Sequence, residues 1–192
     1  MRSIAFRSFA GQSILVVTLL FAFAACWDRP PPEQELPFRA HEARPSPNAA
    51  VSQTIGATLV TITYGRPGVK GRQVFGDLEA YGEVWRAGAN EATVFAVSDD
   101  VTIDGQPLAA GTYGFFAIPN EGQWALIFNT QADQWGAYDY DASHDALRIT
   151  VQPEAGPHQE WLQYSFDDLT ETSAKALLQW HTVTVPFTIA TR

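Results

Sequence analysis

The chain has 192 residues, enough for one domain of ordinary size with a substantial core and some appendages. Its formal net charge is −9, and 12 Lys and Arg are too few to grip a phosphate backbone, so nucleic acid is excluded as a partner. Few charged residues, many aromatics and closely spaced Gly and Pro point to short strands joined by turns.

At the N-terminus, Arg2 and Arg7 precede an apolar run ending at Ala25. The run is too short for a comfortable membrane span and suits the core of a signal peptide. Phe23-Ala24-Ala25-Cys26 resembles the lipobox of bacterial lipoproteins, with Phe23 in place of the usual aliphatic residue. The resemblance implies removal of residues 1–25, lipid on Cys26 and a place in the bacterial cell envelope. Trp27 rather than Asp after the cysteine favours the outer membrane by the same resemblance. Cys26 is the only cysteine, so it has no partner for an internal disulfide. The plainer alternative is ordinary cleavage near Ala25 that leaves an incidental thiol. Several acyl chains on one residue anchor a protein stably where one chain does not. Residues 26–48 hold six prolines among charges and show no apolar period, which predicts an extended tether with His41 and the charges solvated.

The folded domain is expected over residues 49–192. Val60, Ile62 and Tyr64 alternate with threonines, the period-two pattern of a half-buried strand, and a shorter strand near Ser52–Ile55 precedes it. Pro67 and its flanking glycines end that strand. A long ordered loop follows to about Gly82, anchored by Val74, Phe75 and Leu78 and containing one helical turn. Further strands are predicted at 83–86, 92–97, 101–103, 107–108, 112–118, 124–128, 147–151, 160–166, 174–180 and 182–189, with Pro186 at an edge or bulge. Such spacing, without long amphipathic helices, predicts an all-β, antiparallel β-sandwich, jelly-roll-like in character. Trp124, Trp161 and Trp180 fall in strands and are expected in the core, whereas Trp135, beside Gly136 in a loop, is the best candidate for an exposed stacking ring.

An ordered set of short words runs through this domain: Tyr64-Gly65-Arg66-Pro67, Lys70-Gly71-Arg72, Val84-Trp85-Arg86, Gly88-Ala89-Asn90-Glu91, Ala110-Gly111-Thr112-Tyr113, Ile127-Phe128-Asn129 and Trp135-Gly136. On these words the chain resembles the family catalogued as domain of unknown function 2911, over essentially all of residues 46–190. The resemblance implies an exported or lipid-anchored envelope protein and carries no activity with it. Gly65 stands where the family commonly has serine.

Catalytic signatures are absent: there is no Gly-x-Ser-x-Gly elbow, no His-Glu-x-x-His, no phosphate-binding Gly-Lys-Ser/Thr and no dinucleotide fingerprint. The four histidines are far apart, and no metal or other cofactor is expected. Asp139, Asp141, Ser143 and Asp145 alternate like the start of a calcium loop, but His144 replaces its glycine and Thr150 its last glutamate, so an ordinary acidic turn is the better reading.

Most of the positive charge of this acidic domain gathers between residues 64 and 93. Arg66, Lys70, Arg72 and Arg86 can together hold an anion, with Trp85 as a stacking face and Tyr64, Asn90 and Glu91 beside them. Alternatively Glu91, Asp77, Glu79 or Glu83 neutralises the cations, Trp85 is core, and the cluster fastens the loop. Two functions follow. One is an envelope binding module for a glycan, a small anion or an envelope protein, using this loop and Trp135. The other is a hydrolase acting on an envelope or dietary polymer, with Glu91 as acid/base.

Overall fold

The computed structural model describes residues 43–191; the predicted signal peptide, Cys26 and most of the tether lie outside them. Ten strands run β1 (Asn48–Ile55), β2 (Thr58–Gly65), β3 (Thr93–Val97), β4 (Val101–Ile103), β5 (Gln106–Leu108), β6 (Gly111–Ile118), β7 (Trp124–Asn129), β8 (Asp145–Val151), β9 (Glu154–Asp167) and β10 (Ser173–Thr191). They form two antiparallel sheets, six strands in the order β1-β2-β3-β6-β7-β8 and four in the order β5-β4-β10-β9. The predicted antiparallel β-sandwich is the fold.

Alternation decides which side chains meet between the sheets. Val60 and Ile62 of β2, Phe95 of β3, Leu162 and Tyr164 of β9, and Phe187 and Ile189 of β10 are all buried in one core. Phe95 meets Phe128 edge-on at 5.0 Å between ring centroids, and Phe115 meets Phe128 at 5.1 Å, the geometry that aromatic quadrupoles favour. The outer face of the larger sheet is also partly covered. Phe116 and Ile127 are fully buried there with Ala92, beneath Val84, Ala137 and Tyr140. Coverage on both faces explains why β6 and β7 read as continuous apolar runs rather than alternating ones.

Three expectations change. Residues 83–86 form no strand; only Trp85 makes a bridge, to Ala117 of β6. β3 pairs with β6 no further than Thr93 opposite Phe115, so Trp85 takes the next slot along β6 where β3 has already ended. Residues 174–180 and 182–189 belong to one strand, β10, whose register shifts on either side of His181, a residue at φ 56°. Pro186 lies between Thr184, the last partner of β9, and Ile189, the first partner of β4, so its missing N–H breaks no ladder bond. The stretch between β2 and β3 holds no helical turn. It is nonetheless part of the body, because Val69, Val74, Phe75 and Trp85 enter the main core, Trp85 stacking on Trp180 at 5.8 Å.

Candidate functional site

The arginines of the loop serve main-chain carbonyls. Arg66 Nε donates to Leu162 O of β9 at 2.8 Å, and Arg72 donates from Nε to Val69 O at 3.0 Å and from Nη2 to Gly68 O at 2.6 Å. The Lys70 ammonium lies 5.9 Å from the centre of the Trp161 ring. Arg86 Nη1 reaches Asn90 O at 3.4 Å, while its Nε is buried without a partner among the described residues. The expected neutralising carboxylates are not in ion-pair contact with Arg66, Arg72 or Arg86 among the described residues. Glu79 comes nearest in effect: desolvation pushes its carboxyl up to about 7, against the opposing pull of Arg86 and Arg72.

Trp85 is buried, and its Nε1 donates to Gly88 O at 3.2 Å, so it offers no stacking face. Trp161 reverses in the other direction. It is 38 % exposed, because it has the opposite parity to the inward Leu162 and Tyr164 and is touched by the loop rather than by the opposite sheet.

Glu91 and Trp135 come together elsewhere, at a cleft on the outer face of the larger sheet, whereas the ring of Tyr64 is buried in the main core with its hydroxyl accepting from Tyr164 N at 3.1 Å, so it offers no binding face. Thr63, Val94 and Thr112, outward residues of β2, β3 and β6, lie along its base. Arg44, Asn48, Glu91 and the segment Ala132–Gln134 add the rest of an approximately 480 Å³ hollow, to which Tyr64 and Gly65 also contribute. Glu91 and Ala132–Gln134 are shared with an adjoining outer hollow of about 750 Å³ that adds Thr130, Gln131, Trp135 and Asp139. Neither hollow is lined by Arg66, Lys70, Arg72, Arg86, Trp85 or Asn90.

Local chemistry builds these walls. Glu91 bridges Trp135 in antiparallel fashion, and Ala92 N donates to Gln134 O at 3.0 Å, so the two loops are stitched by main chain. The 130–135 segment crosses directly over β6. A Cβ on Gly114 would meet Gln131 O at 2.8 Å, so the strand must be bare at that point. Buried Asn129 holds the segment's ends, accepting from Gln131 N and donating to Asp141 O and to Asp145 Oδ1, each at 2.9 Å. Tyr140 donates to Asp145 at 2.8 Å and accepts from Arg148 at 2.8 Å; burial first, then Asp145, pushes its hydroxyl up to about 12. In the alternating acidic run, Asp141 Oδ1 accepts from Ser143 N at 2.8 Å, so Asp141 and Asp145 both serve the turn itself. At the mouth, Trp135 is 55 % exposed. Gly136, at φ 70°, places the indole, and a Cβ there would meet Arg86 Nη1 at 2.6 Å.

Glu91 is held by Arg44, whose Nη1 reaches both carboxylate oxygens at 2.7 and 2.8 Å. Burial works to raise its pKa, but the hydrogen bonds from Arg44 and from its own N–H, with the Arg44 charge, outweigh that and leave it below the ordinary value. The prediction that the charges before residue 49 are solvated does not hold for Arg44. This end of the chain is pinned: Asn90 Nδ2 donates to Ser46 O at 3.0 Å, and Arg66 N to Pro47 O at 2.8 Å. Sequence reasoning missed Arg44, Asp133, Gln134 and the floor threonines. The available signal was Gly114, a glycine inside an apolar strand, which marks the close approach of another backbone.

A family model described as a protein of unknown function, DUF2911, matches residues 46–189, most of the chain, and the chain belongs to that family. No curated protein and no solved structure shows significant similarity to it.

Proposed function

Starting from that membership, we propose that the protein is a lipid-anchored component of the bacterial envelope whose sandwich is a binding module for a hydroxyl-rich ligand, the class to which saccharide chains belong. The anchor reading rests on Arg2, Arg7, the apolar run to Ala25 and Cys26. The binding reading rests above all on one observation: a half-exposed indole, Trp135, bonded through its main chain to Glu91 at the mouth of a cleft of ligand size. A sugar ring stacks on such a surface, and Asn48, Thr63, Thr112 and Glu91 supply donors and acceptors for its hydroxyls.

The same geometry gives less support to the other readings. Glu91, ionised and held by Arg44, is suited to accept hydroxyl hydrogen bonds rather than to deliver a proton to a leaving group, which lowers the weight of the hydrolase alternative. An anion site built on Arg66, Arg72 and Arg86 is disfavoured because all three donate to backbone carbonyls.

The test is calorimetric titration of the full-length protein in detergent with gluco-, chito- and malto-configured tetrasaccharides. One of them is expected to bind, and Trp135→Ala to weaken it by about tenfold or more while leaving the melting temperature unchanged, since the ring is exposed. Binding of none, or equal binding by the variant, would overturn the reading.

A further inference from the structure

The charge around the cleft selects among saccharides, and we infer that its ligand carries cationic amines, as an amino-sugar oligomer does. The inference rests on the saccharide reading above. The outer hollow is lined by three carboxylates, Glu91, Asp133 and Asp139, together with the Trp135 ring, and by no Lys or Arg. Two guanidiniums lie close. Arg44 is engaged with Glu91, and Arg86 packs at Gly136 and bonds Asn90 O. Asp133 and Asp139 enter no ion pair among the described residues.

An indole attracts an ammonium through the negative face of its ring, and a carboxylate beside such a ring strengthens the attraction. A neutral sugar uses the stacking surface and the hydroxyls and amide of Thr63, Thr112 and Asn48 but leaves Asp133 and Asp139 without a counterpart. A protonated amine on the sugar ring meets both kinds of group at once. The chain as a whole carries −9, so the long-range field draws in a cationic oligomer and repels an acidic one.

The experiment compares tetramers of glucosamine and of N-acetylglucosamine, the same skeleton with and without free amines, titrated into the full-length protein in detergent. The pH is about 6, below the ordinary pKa of such amines. The free-amine tetramer is expected to bind about tenfold or more tightly than the acetylated one. Added salt should shrink that margin. In the double variant Asp133→Asn, Asp139→Asn the margin should vanish while binding of the acetylated tetramer persists, which shows the cleft intact. Equal or weaker binding of the free-amine form by the parent, or a margin unchanged in the double variant, overturns the amine inference and leaves the saccharide reading standing. If neither tetramer nor any neutral one binds, both fall.

Discussion

Glu79 lies part-buried in the loop between β2 and β3, where loss of water outweighs the pull of Arg86 and Arg72 and leaves its carboxyl titrating at about 7 instead of 4.5. Between those two pH values the native chain holds a proton that the unfolded chain has released. The contribution of Glu79 to stability is therefore full below about pH 4.5, declines as pH rises from there to about 7 and levels off above it. Glu79→Gln is expected to match the parent near pH 4 and to exceed it at pH 8 by roughly 1–2 kcal/mol, discounted for partial exposure. Urea unfolding at the two pH values measures this, and parallel pH dependence in parent and variant would contradict it. The sequence names Glu79 as one counter-charge among several but does not register its desolvation, which depends on what packs over it. Arg44 teaches the same lesson from the other side. Set among prolines it reads as linker, and only a partner 47 positions away makes it a wall of the cleft.

At the scale of elements, the loop of residues 66–92 is a folded-back layer rather than a flap. It returns over the end of β2 so closely that a Cβ on Gly65 would stand 2.1 Å from Ala89 O, a backbone atom with no freedom to yield. Gly65→Ser in this chain is predicted to cost about 2 kcal/mol or more, read as a lowered melting temperature. A variant that melts like the parent would show that the loop lifts without penalty. The backbone strain inside the loop fits this packing. Lys70, Ala87 and Asn90 all have positive φ, and Ala87 is held there by hydrogen bonds to its carbonyl from Thr93 Oγ1 at 3.1 Å and Tyr164 Oη at 2.7 Å. Strand positions were largely legible because alternation and turn residues are local signals. The strand proposed at 83–86 was not, since a strand exists only where a partner edge is free, and β6 offers Trp85 a single slot.

For the whole molecule, the proposed anchor is tested apart from the proposed binding site. Lipidation at Cys26 predicts that Cys26→Ser moves the protein from the membrane to the soluble fraction and abolishes incorporation of labelled fatty acid. A variant that stays membrane-bound would place the anchor elsewhere. The sequence by itself determined the class of fold, because period-two alternation and Gly- and Pro-bearing turns act over a few residues and need no distant partner. It also marked Trp135 as exposed, since a loop glycine beside an indole is a local cue. The tertiary structure alone decided the order of the sheets, the use of loop arginines as fasteners for carbonyls, and the meeting of Arg44, Glu91 and the 130–135 segment over a bare glycine. Those outcomes depend on contacts between residues far apart in the chain, and their free energy comes from desolvation and packing that no short window of sequence contains.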